Sequence, residues 1–116
     1  MKDVRIKENS WLAQIAAFKL GVDRVALTMG NTIHLYRASR EELIENNRWL
    51  KHELAHVEQF RKHGFLKFIA MYLVETIING YHQNKYEIDA REAEKAPITL
   101  FEPSQFQPND NGEQDL

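Results

Sequence analysis

The segment His52-Glu53-Leu54-Ala55-His56 carries the residue types of this sequence that are best suited to chemistry. In a helix with about 3.6 residues per turn, two histidines four positions apart project from nearly the same side. Two such imidazoles can hold one metal ion, and Zn²⁺ favours nitrogen and oxygen ligands. A catalytic zinc site takes three protein ligands and keeps a position for water. The motif therefore predicts one Zn²⁺ per chain, bound by His52, His56 and a third ligand from elsewhere.

Glu53 lies between the two histidines, and its position suits a general base. It is rotated by about 100° from His52 around the helix axis. In an H-E-x-x-H site this glutamate points beside the metal and accepts a proton from the bound water. The metal lowers the pKa of that water and polarises the carbonyl under attack. We therefore expect metal-assisted hydrolysis of an amide or ester, with Glu53 as the catalytic residue.

Capping and turn signals predict the elements that position this motif. Ser39 and Glu42 match a capping box, so we expect a long helix from there to about His63. Before it, residues 25–36 alternate apolar and polar side chains around Gly30-Asn31, which is typical of a β-hairpin. The active-site helix should thus follow one hairpin.

Three further helices are expected. Ser10 caps a first helix that ends near Gly21. Residues 65–78 are apolar on almost every side, which predicts a buried helix. Asn84 opens a short helix that must stop before Pro97. The predicted fold class is α+β and mostly helical, with about four helices and one β-hairpin.

Length and composition exclude several classes of protein. The 116 residues carry a formal net charge of −2, which argues against a strongly basic nucleic-acid binder. The absence of cysteine excludes disulfides and thiolate metal ligands. Neither a secretory signal nor a membrane span is visible, so a cytoplasmic location is expected. We predict one domain over residues 1–100 and a flexible acidic tail over residues 101–116, rich in Pro, Gln and Asn.

The chain resembles the gluzincin-like zinc metallopeptidases over about residues 24–95. Residues 52–59 look like the active-site helix of small bacterial members, and residues 84–90 look like their third-ligand segment, an E-x-x-A pattern. The resemblance implies a zincin-like domain with Glu87 as the third ligand. It also implies that the hairpin supplies an edge strand against which a peptide or protein substrate pairs.

Other assignments near this segment stay open. Asn84 and Glu87 also match a capping box, in which Glu87 would be a helix cap instead of a ligand. His82, Asp89 and Glu92 are the substitute ligands. The metzincin extension is excluded, because Gln59 and Lys62 stand where its glycine and third histidine belong.

Supporting roles can be assigned to a few residues around Glu87. Arg91 stands where thermolysin-like gluzincins have an aspartate that orients a histidine, so Asp89 or Glu92 is the candidate for an outer partner. Tyr81 or Tyr86 could donate a hydrogen bond to the developing oxyanion.

The sequence thus predicts a zinc-dependent hydrolase, with proteolysis as the reaction that the resemblance implies. The alternative is a catalytically silent zinc-binding module with a regulatory or interaction role. A third hypothesis, a membrane-surface protein using residues 65–78, is weakened by Lys67 and Glu75 within the apolar stretch.

Overall fold

The computed structural model describes residues 4–95, which form a small sheet and five helices. The order along the chain is β1 (Arg5–Lys7), α1 (Trp11–Leu20), β2 (Val25–Met29), β3 (Thr32–Tyr36), α2 (Arg40–Glu45), α3 (Asn47–His63), α4 (Phe65–Asn79) and α5 (Lys85–Ala93). The predicted α+β, mostly helical class is confirmed. The tail predicted over residues 101–116 lies outside the described residues.

The sheet has three strands in the order β1-β3-β2. The predicted hairpin is confirmed: β2 pairs antiparallel with β3, and Gly30 takes a left-handed φ of 68° at the turn. β1 pairs parallel with β3, with Ile6 opposite Ile33. A strand of three residues shows too little alternation to be recognised in the sequence. β2 therefore lies at an edge of the sheet and β3 in the middle.

The long helix predicted from Ser39 to about His63 is wrong, because the chain forms two helices there. The capping box of Ser39 and Glu42 is present and starts α2. Asn46 then adopts an extended conformation, and its side chain accepts a hydrogen bond from the N–H of Trp49 at 3.1 Å. The first N–H groups of a helix have no partner within the helix. Because the Asn46 side chain accepts from one of them, the break costs less than it would at a residue that cannot cap.

Two apolar clusters hold the elements together. The larger joins the sheet to α2 and α3, and its fully buried side chains include Ile6, Ile33, Leu35, Leu43 and Leu54. The smaller joins α3, α4 and α5 through Phe60, Phe68 and Tyr86. α3 belongs to both clusters and is therefore fixed on two sides.

The helix α4 is not the buried helix that its apolar sequence predicts. Phe68 is its one buried residue, whereas Leu66, Ile77 and Ile78 are exposed, Ile77 by 82%. Among the described residues, every helix is too short or too polar to span a bilayer.

Candidate metal centre

Helix α3 brings His52 and His56 together one turn apart, as their spacing predicts. Their ring centroids are 5.0 Å apart. The Nε2 atoms of both rings face the carboxylate of Glu87, with His52 Nε2 3.1 Å from Oε1 and His56 Nε2 3.3 Å from Oε2. One ligand atom from each of the three residues lies within 4.8 Å of the others. This cluster could hold a metal ion.

The start of α5 directs Glu87 towards α3. The buried side chain of Asn84 accepts a hydrogen bond from the N–H of Tyr86 at 2.8 Å and donates to the Tyr72 carbonyl at 3.0 Å. The backbone N–H of Asn84 donates to the Tyr81 carbonyl at 3.2 Å. The group that a capping glutamate would satisfy already has a partner, and the carboxylate of Glu87 contacts the histidines instead.

Each histidine has a second partner on its other ring nitrogen. His52 Nδ1 donates to Oε2 of Glu94 at 2.8 Å. His56 Nδ1 lies 2.9 Å from Oε1 of Gln59, whose Nε2 donates to the Tyr86 carbonyl at 3.0 Å. Because that amide nitrogen is engaged, its oxygen faces the ring and Nδ1 is the donor. Metal-binding histidines typically donate this second N–H to a carboxylate or carbonyl, which orients the ring.

Glu87 also has an outer partner, since the hydroxyl of Tyr72 on α4 donates to its Oε2. Sequence reasoning missed Tyr72, Gln59 and Glu94. Glu94 follows Glu87 by seven residues, two helical turns, so the helix period places both on one side of α5. That spacing could have identified Glu94 as a neighbour of the site, whereas no local sequence pattern indicates that Tyr72 contacts Glu87.

The three side chains of the cluster form a largely buried ion pair. Burial disfavours the protonated form of His52, but hydrogen bonds to Glu87 and Glu94 and the nearby Glu53 outweigh it and raise the His52 pKa to about 9. The pKa of His56 is raised for similar reasons. Burial opposes ionisation of Glu87, yet hydrogen bonds from both histidines hold its pKa well below the usual range. A cation can replace the imidazole protons that now compensate Glu87.

Glu53 lies beside the cluster but is not part of it. Its side chain is buried, and Thr28 on β2 donates a hydrogen bond to Oε1 at 2.7 Å. Burial raises the pKa of Glu53, although His56 and Thr28 act against this shift. A buried carboxyl with a raised pKa next to a metal-binding cluster is typical of an acid–base residue.

A cleft of about 280 Å³ opens over the cluster. It is lined by His52, Glu53, His56 and Glu87 and by the residues of β2. Most of the remaining lining is apolar: Ala16, Leu20, Leu27, Met29, Phe60, Ile69 and Leu73. The candidate metal centre therefore faces a mainly apolar space that is lined in part by the edge strand β2.

The other predicted residues lie in different places. Tyr81 lines the cleft and is about half exposed, and its pKa is raised to about 12, first by burial and then by Glu87. Tyr86 packs its ring against Phe68 within the smaller apolar cluster and does not line the cleft. Asp89, named as a possible outer partner, and Glu92 are exposed on α5, and His82 is exposed in the turn before α5. Only Tyr81 among these borders the site.

One comparison with known proteins gives a match. The family model of the eCIS core domain matches residues 1–64, a range that includes His52, Glu53 and His56 but not Glu87. No curated protein and no solved structure matches the chain. Because the match covers more than half of the 116 residues, the chain belongs to the eCIS core domain family.

Proposed function

We propose that this chain is a zinc-dependent hydrolase, a metallopeptidase with a zincin-like fold of the gluzincin type. In this proposal His52, His56 and Glu87 hold one Zn²⁺, and Glu53 is the general base. The observation that carries the proposal is the buried cluster of two imidazoles and one carboxylate, each with an outer hydrogen-bond partner, beside a second buried carboxylate.

The donor set fits zinc. Two neutral imidazole nitrogens and one carboxylate oxygen are the protein ligands of many catalytic zinc sites. The partners Glu94 and Gln59 keep a proton on each Nδ1, so each Nε2 is the nitrogen available to an ion. When bound, zinc supplies Lewis acidity and makes water a nucleophile near neutral pH.

Glu53 supplies the proton transfer. Thr28 holds its Oε1, which fixes the rotamer and leaves Oε2 to accept the proton from water. The raised pKa brings this carboxyl closer to the working pH, where a general base is most effective. Tyr81, at the side of the cleft, is our candidate donor to the developing oxyanion.

The edge strand β2 supports a peptide as the substrate. Residues of β2 line the cleft, and its outer edge is not paired with another strand of the described sheet. An extended peptide can add to such an edge through main-chain hydrogen bonds, which depend little on side-chain identity.

The test compares metal binding with hydrolysis. Titration of the chelator-treated full chain should show one zinc site, which His56→Ala removes and His82→Ala, at an exposed position, retains. The zinc-loaded chain should hydrolyse a mixture of short peptides, and Glu53→Gln should lower turnover by about 10²–10⁴-fold with zinc affinity preserved. Zinc binding without hydrolysis would support the silent module instead, and no zinc binding would reject both.

A further inference from the structure

The cleft meets a wider groove at the candidate metal centre. The groove has a volume of about 700 Å³. The two cavities share six lining residues, which are Leu20, Val25, Ala26, His52, Glu53 and Tyr81. Because the proposed base Glu53 and the histidine His52 line both cavities, a bond held for attack lies where the cleft meets the groove. A substrate that extends in both directions from this bond therefore contacts both cavities.

The cleft and the groove differ in the side chains that line them away from this junction. Apart from the metal cluster and its partners Thr28 and Tyr72, the described residues that line only the cleft are apolar: Ala16, Leu27, Met29, Phe60, Ile69 and Leu73. Those that line only the groove include four polar or charged side chains beside Val22 and Trp49, namely Arg24, Asn46, Arg48 and Glu94. The junction therefore has an apolar side and a polar side.

Strand β2 runs along both cavities. Arg24, directly before the strand, lines only the groove, whereas Met29 at its end lines only the cleft. The outer edge of β2 is not paired with another strand of the described sheet. A peptide that adds to this edge lies extended along the strand. Its residues on one side of the bond under attack are then near the cleft, and those on the other side are near the groove.

The size and polarity of the cleft suit one large apolar side chain. Its volume of about 280 Å³ is below the roughly 300–1,000 Å³ of pockets that enclose a drug-sized ligand. Leu20 is 50% exposed and Leu73 is 55% exposed, so an apolar occupant would remove their surface from water. The hydroxyls of Thr28 and Tyr72 already donate to carboxylates of the site. A polar side chain would therefore lose hydrogen bonds to water in this cleft without replacing them all, which is unfavourable.

We propose that this site selects peptides with a large apolar side chain, such as leucine, next to the bond that is cleaved. That side chain binds in the cleft, while the residues on the other side of the bond lie in the polar groove. Leu73 is the specificity-determining residue, because it lines the cleft from α4 and is not part of the metal cluster. Selective cleavage rests on the proposed function, whereas binding of the side chain requires only the cleft.

The cleavage sites in a mixture of peptides of random sequence test this selectivity. The zinc-loaded full chain is incubated with the mixture, and the products are identified by mass spectrometry. One position next to the cleaved bond should contain leucine about 10–100-fold more often than asparagine, which has a similar shape but is polar. Leu73→Arg should remove this preference and favour acidic side chains. Ile77→Arg is the matched control, because Ile77 is exposed one turn further along α4 and is not among the residues that line the two cavities.

Cleavage without an apolar preference at either position next to the bond would overturn this inference and leave the proposed function intact. If no peptide is cleaved, the proposed function fails, and binding of the side chain is decided separately. NMR titration of the chelator-treated full chain with N-acetyl-leucinamide should shift the methyl resonances of Leu27, Met29 and Leu73 saturably. N-acetyl-asparaginamide should bind at least about tenfold more weakly. Equal affinities for the two amides would overturn the inference whether or not peptides are cleaved.

Discussion

Helices α3 and α4 follow one another in the chain and have 17 and 15 residues, yet they differ in which side chains they bury. α3 is rich in charged residues but buries Glu53 and His56. α4 is apolar along most of its length but exposes Leu66 and Ile77. Burial in this molecule therefore does not follow the hydrophobicity of the helices.

The difference in burial between α3 and α4 depends on the contacts that neighbouring elements provide. A buried polar group is costly unless it is hydrogen-bonded, and a buried charge is more costly still unless it is paired. α3 lies between the sheet and α5, where Thr28 and Glu87 compensate Glu53 and His56. α4 packs mainly through one end of its apolar surface, around Phe68, and no described element covers the rest. Buried ionisable groups and uncovered apolar surface are both features that are typical of binding or catalytic sites.

The largest expected effect is on folding stability and separates the two helices. Leu54 on α3 is fully buried in the larger cluster, so Leu54→Ala should lower the free energy of unfolding by about 2–5 kcal/mol. The matched variant Ile77→Ala on α4 should change it by less than about 0.5 kcal/mol, because Ile77 is exposed. Chemical denaturation measures both. Equal losses would mean that α4 is covered in solution.

A smaller effect is expected on zinc affinity when a hydrogen-bond partner of the histidines is changed. Glu94→Gln removes the charge that orients His52, so zinc affinity should fall about 10–100-fold. Glu92→Gln is the control, because Glu92 is near the same end of α5 and pairs with the exposed Lys95 instead. Calorimetric titration with zinc measures both variants. An unchanged zinc affinity in Glu94→Gln would show that the His52 imidazole does not need the carboxylate of Glu94 to orient it.

A further effect is a pH dependence of folding stability that zinc should abolish. The His52 pKa is raised from 6.5 to about 9 in the metal-free fold. The stabilisation it contributes is complete below pH 6.5 and is lost as the pH rises through 9. Zinc affinity should increase over the same interval, because fewer protons must be displaced. Thermal denaturation in chelator should show this loss of stability between pH 6.5 and 9, whereas in excess zinc the rising affinity should offset it. The same loss under both conditions would contradict this assignment of the cluster.

Several features could be predicted because they depend on residues close in sequence. The spacing of His52 and His56, the capping box at Ser39 and the turn at Gly30 all depend on the backbone geometry and hydrogen bonds of one helical turn or one hairpin. The break at Asn46 also depends on nearby residues, but it was not predicted, because the apolar spacing fits one continuous helix equally well. The choice depended on which N–H groups the Asn46 side chain could cap.

The histidine pair, the glutamate beside it and the order of most elements could be predicted from the sequence, whereas the burial of that glutamate could not. The tertiary structure alone decided that Glu87 faces the pair, 35 residues from His52, and that Glu94, 42 residues away, supports it. It also decided that α4 is exposed. Contacts over such separations depend on how α3, α4 and α5 pack, and packing is set by all their side chains together rather than by the period of any one helix.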